Sequence, residues 1–108
     1  MTNQLANVEY SCRVDVLDET EQRRWQALRK TMHTAKHDVR ELPDGYAVCL
    51  TSDPALFLQV SEWITLERRC CPFLAFGLDW SENGVLQLRL TGGPGVKRFL
   101  AGALAAAP

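Results

Sequence analysis

No stretch of this sequence stays apolar for the roughly 18 residues that a membrane-crossing helix needs, and its first seven residues lack the basic and apolar regions of a signal peptide. An excess of charge is also missing. The 12 Lys and Arg against 13 Asp and Glu leave a formal charge of −1, too little to make a global basic field for nucleic acid or an anionic membrane. A cytoplasmic protein with small-molecule, ionic or protein partners is expected. The four cysteines contain no C-x-x-C and no zinc-finger spacing. No serine occupies a nucleophile elbow and neither histidine is brought near a thiol by sequence, so a triad-type hydrolase has no support. Low-complexity linkers and strong internal repeats are absent too. What is present is 108 residues with 46% hydrophobic side chains, enough for one α+β domain over 1–108 with a core that needs no disulfide.

Alternation supplies the first element. Val8, Tyr10, Cys12, Val14 and Val16 interleave with polar residues, the period of a strand with one buried face, which turns Cys12 inward. Asp18 and Glu21 have the spacing of a capping box, and Trp25, Leu28, Met32 and Ala35 follow at helical intervals, predicting a helix from about Glu19 to Lys36. Pro43-Asp44-Gly45 separates two short strands, with Gly45 expected at positive φ in a bulged hairpin. A second helix over Pro54 to Cys70 is bounded by Asp53 and Pro72. Leu74 to Trp80 and Leu86 to Leu90 flank Asn83-Gly84, read as a type I′ turn, and a last helix carries Val96, Phe99, Leu100, Ala103 and Leu104. The order β-α-β-β-α-β-β-α predicts an α+β two-layer sandwich, a largely antiparallel five-stranded sheet with three helices. Trp25, Trp63, Trp80, Phe57, Phe73 and Phe76 are many large side chains for one small core, which points to a homodimer.

On a helical wheel the second helix sets Leu56, Phe57, Val60, Trp63 and Ile64 on one apolar stripe, and Glu67, Cys70 and Cys71 fall on it as well. A carboxylate facing the core must find a partner or take up a proton, so burial should raise its pKa. Two thiols at i+3 and i+4 from that acid make a constellation. As function, Cys70 and Cys71 supply thiolates for a soft metal or metalloid ion, with Glu67 as proton acceptor or third ligand. As structure, both cysteines are core and Glu67 pairs with Arg68, Arg69 or an arginine from a strand. A bond between the two neighbours would be strained. Pro72, lacking an N–H, is expected to leave the Cys70–Cys71 peptide outside regular hydrogen bonding, so that both sulfurs turn to one ligand. Cys12 or Cys49 could complete the site.

Other candidates are weaker. His33 and His37 have the i, i+4 spacing of a metal pair but lie off the apolar stripe and read as surface residues. Thr91 to Gly95, with Lys97 and Arg98 behind it, could hold an anion at a helix start, yet it lacks the Walker and dinucleotide spacings and reads as a turn and cap. Arg23, Arg24, Arg29, Lys30 and Lys36 form an ordinary solvated basic face.

The strings Arg40-Glu-Leu-Pro-Asp-Gly-Tyr46 and Glu67-Arg-Arg-Cys-Cys-Pro-Phe73, with Phe76 and Thr91-Gly92 after them, resemble a family of small bacterial proteins of unassigned function. The likeness spans about residues 23–100, and Glu-x-x-Cys-Cys-Pro-Phe is its most specific part. It implies that Glu67, Cys70 and Cys71 act as one unit, and it names no reaction, fold or cofactor. Three functions compete: a binder of soft metal or metalloid ions, a thiol-based redox enzyme using Cys70 or Cys71, and a non-catalytic interaction module.

Overall fold

The computed structural model describes residues 13–105. Three helices are present, α1 (Glu19–Ala35), α2 (Pro54–Cys70) and α3 (Val96–Ala105), with four strands, β1 (Lys36–Leu42), β2 (Gly45–Leu50), β3 (Ala75–Trp80) and β4 (Leu86–Thr91). The strands form one antiparallel sheet in the order β1-β2-β4-β3, so the class is α+β as expected. Among the described residues no helix is long and apolar enough to cross a membrane.

Period-2 patterning decides which sheet face meets the helices. Val48, Leu88 and Leu78 lie side by side across β2, β4 and β3, as do Leu50, Leu86 and Trp80. The buried members of these rows join Trp25, Leu28 and Met32 of α1, Val60 and Trp63 of α2, and Val96 and Leu100 of α3 in one core. Most of the large aromatics find partners inside the chain: Trp63 meets Phe76 edge-on, Phe73 meets Phe99, and Phe57 stacks on the partly exposed Trp80.

Both long helices start as the sequence predicts. Asp18 accepts from the Glu21 N–H while Glu21 accepts from the Asp18 N–H, and Asp53 accepts from the Leu56 N–H ahead of Pro54. The helices are then drawn together by Arg24, which grips both carboxylate oxygens of Glu62 at 2.7 and 2.8 Å, and by Arg69 on Glu21 at 2.7 Å.

Three local expectations are corrected. The described sheet has four strands rather than five, because Val14–Val16 is a single 3-10 turn. Strand pairing needs a partner for every N–H; here the Leu17 N–H bonds back to Val14 O, and the Arg13 N–H goes to Cys70 O at the end of α2. Leu17, not Val16, is the buried residue. The earlier part of that first strand, with Cys12, lies outside the described residues. Gly45 does not have positive φ. Its requirement is closeness, since an added Cβ would overlap the backbone of Leu90 and Thr91 on β4. In the second hairpin only Gly84 is at positive φ, at 86°, so the connection is not type I′. Ser81 accepts from the Gly84 N–H and its own N–H reaches Val85 O, a turn closed by one left-handed glycine.

Gly45→Ala should therefore cost about 1–3 kcal/mol of unfolding free energy through overpacking. Gly102→Ala, in the exposed middle of α3 where an added Cβ meets nothing within 4 Å, should gain about 0.5–1 kcal/mol. Urea denaturation midpoints of the two variants check the pair of opposite signs.

Candidate functional site

Leu56, Val60, Trp63, Glu67 and Cys70 are the buried residues of α2, and their alternating spacing of four and three is the inward stripe of a helix. The carboxyl of Glu67 is thereby carried into the core, where the residue is only 7% exposed. Its Oε1 accepts from the Trp25 indole N–H at 2.7 Å, across the junction of α1 and α2. Its Oε2 lies 3.4 Å from Cys71 Sγ. Burial pushes the Glu67 pKa above its ordinary value of 4.5, while the Trp25 N–H and the nearby Arg29 guanidinium pull part of the way back. Of the expected arginine partners on its own helix, Arg69 instead bonds Glu21 and the Val16 carbonyl.

Cys71 is the C-cap of α2 and is disulfide-bonded, whereas Cys49 and Cys70 are free and buried. A disulfide sulfur has no hydrogen to donate, so its approach to Glu67 is not a thiol hydrogen bond. The expected pair of reduced vicinal thiols is thus replaced by one oxidised and one free sulfur. The peptide between them is also fully engaged, contrary to expectation: the Cys71 N–H donates to Glu67 O at 2.7 Å, and Cys70 O accepts from the Arg13 N–H at 2.9 Å. Pro72 ends the helix, and the Leu74 N–H then caps Cys71 O. Burial raises the Cys70 pKa, with the Glu67 charge adding to it and Arg69 opposing, so the thiol is the favoured form.

No family model matches the chain. Searches of curated proteins and of solved structures likewise find no match.

The remaining sequence candidates separate. Cys49 alternates with Val48 and Leu50 on β2, so it faces the other side of the sheet, where Gln87 lies 3.8 Å from its sulfur. His33 is on α1 and His37 on β1, both exposed, so they share no helical face. At the start of α3, Gly95 at φ 89° and the Val96 N–H to Gly93 O bond make a turn and cap. Among the described residues no group of three or more His, Cys, Asp or Glu is placed to hold a metal ion.

The sequence reading missed a cavity of about 300 Å³ on the other side of Glu67, lined also by Trp25, Arg29, Trp63 and residues of the sheet and α3. Its signal was present in part. Arg29 follows Trp25 by four residues and stacks its guanidinium 5.6 Å from the indole centre, which sets it apart from a purely solvated basic face.

A buried acid with a raised pKa binds its proton more tightly in the folded than in the unfolded chain. Its contribution to stability is therefore complete below pH 4.5 and is lost as pH rises through the folded-state pKa. Wild-type protein should lose stability across that window with a slope of at most about 1.4 kcal/mol per pH unit from this group. Glu67→Gln, still an acceptor for Trp25, should remove that part of the slope in urea melts recorded between pH 4 and 8.

Proposed function

We propose that the protein is a thiol–disulfide redox protein whose exchanging sulfur is Cys71 and whose proton donor is Glu67. The observation that carries this reading is a disulfide-bonded Cys71 Sγ lying 3.4 Å from a buried carboxyl, whose pKa that burial raises. Cys49 and Cys70 are free, so neither is the partner of Cys71.

The chemistry requires a dithiol reductant. Cys71 is without solvent exposure, so attack falls on its partner's sulfur. The reductant's thiolate bonds to that sulfur, the bond to Cys71 breaks, and Cys71 leaves with the electron pair and takes the proton of Glu67. The reductant's second thiol then displaces the mixed disulfide, so two electrons leave the reductant as its own disulfide. Glu67 regains its proton from solvent. In a cytoplasmic setting, where structural disulfides are rare, a disulfide of this kind serves transfer or sensing.

A second reading uses the same sulfurs after reduction. Two sulfurs that were bonded are close enough to share one soft metal or metalloid ion once reduced, with Glu67 and the adjacent Cys70 beside them. This keeps Cys70, Cys71 and Glu67 as the candidate ligands that the motif suggests.

Protein purified without reductant and then denatured should show two free thiols, against four after reduction, and peptide mapping should find Cys71, and neither Cys49 nor Cys70, in a disulfide. Glu67→Gln should slow reduction by a dithiol at least tenfold, as loss of a positioned proton donor does. Four free thiols in the unreduced protein would remove the redox reading. Retention of arsenite by reduced protein, lost in Cys71→Ser, would favour the ion-binding one.

A further inference from the structure

The cavity beside Glu67 lies where the three helices meet the sheet. Trp25 and Met32 come from α1, Trp63 from α2, Leu88 and Leu90 from β4, and Leu100 from α3. Its volume of about 300 Å³ stands at the lower end of the range for small-molecule sites and far above the water-sized voids of ordinary packing. An apolar space of this kind within a chain this short demands an explanation beyond imperfect packing.

Two independent features of the walls point to what occupies it. The first is Trp63, a cavity residue 6% exposed, whose buried Nε1–H has no hydrogen-bond partner among the described residues. An indole N–H only donates, and a buried donor left unmade is costly, so an acceptor belongs beside it. The second is charge. Arg29 and the exposed His33 on α1 and Lys36 at the start of β1 line the cavity, Arg29 and Lys36 half-buried, and none of the three belongs to an ion pair among the described residues. Lys30, Arg68 and Arg98 are likewise in no ion pair among the described residues, so it is a place on the cavity wall that sets Arg29 and Lys36 apart. The single acid in the cavity wall, Glu67, is turned to Trp25 and Cys71.

We propose that this cavity is the binding site for a small apolar carboxylate, its hydrocarbon body among the tryptophans and leucines and its anionic oxygens at Arg29 and Lys36, with Trp63 donating to an oxygen of the ligand. An apolar body satisfies the walls, and an anion complements two cations that no ion pair among the described residues engages, Arg29 having only the Glu67 carboxyl as a nearby acid. A cationic ligand is disfavoured by the same pair. The site is separate from the sulfur chemistry, since neither Cys70 nor Cys71 lines it, although Glu67 borders both.

Octanoate is a suitable probe, with octanol as its uncharged counterpart. Calorimetric titration of the full chain should show one saturable octanoate site, accompanied by a change in tryptophan fluorescence, and weaker binding of octanol. The double variant Arg29→Gln with Lys36→Gln alters only partly exposed side chains and should bind octanoate at least tenfold more weakly while melting as wild type does. Trp63→Phe keeps a ring and removes the N–H; in protein whose circular dichroism is native, it should weaken octanoate at least threefold. Absence of saturable octanoate binding would overturn the proposal. So would equal affinity for octanol, or an octanoate affinity indifferent to loss of both cations. Unchanged binding by a folded Trp63→Phe protein would overturn the role given to its N–H.

Discussion

The buried hydrogen bond from the Trp25 indole to Glu67 is the contact around which the helical layer is organised. Its two groups sit on different helices, 42 positions apart in sequence, and each has a polar atom that burial would penalise if it were left alone. Only one relative placement of α1 and α2 brings them to 2.7 Å. The pairs Arg24–Glu62 and Arg69–Glu21 flank it at the surface, where solvent screening leaves each worth at most about 1 kcal/mol. Orientation is thus specified from inside, and the rim follows it.

Placing a carboxyl there costs stability that an apolar residue would not. Folded chains keep such groups where chemistry uses them. Glu67 has one oxygen on an indole and the other against Cys71 Sγ, and the same residue borders the cavity. The free Cys70 next to it is favoured as a thiol by burial, in contrast to the disulfide-bonded Cys71 at the C-cap.

The local grammar of the chain was legible from end to end of its regular elements. Asp18 with Glu21, and Asp53 with Pro54, marked helix starts that the structure reproduces, and Pro72 marked the end of α2. The stripe that carries Glu67 and Cys70 inward was equally legible, because helical period is a property of neighbours three and four residues apart. Val14 to Val16 misled for an instructive reason. Alternation describes which side chains prefer burial, but a strand also needs a neighbouring backbone, and the Arg13 N–H found the end of a helix.

The sequence by itself determined the element order from α1 to α3, the caps, the α+β class and the placing of an acid on an inward helical face, all of which depend on short-range pattern. Tertiary structure alone decided the rest. The strand order β1-β2-β4-β3, the closeness of Gly45 to β4, the turning of Cys49 to the opposite sheet face and the pairing of Glu67 with Trp25 join residues distant in sequence. The oxidised state of Cys71 beside a free Cys70 belongs to the same class, since a motif names two sulfurs while only folding selects which of them has another within bonding distance. So does the cavity, because empty space is left by the way three helices and a sheet meet, and no single segment encodes it.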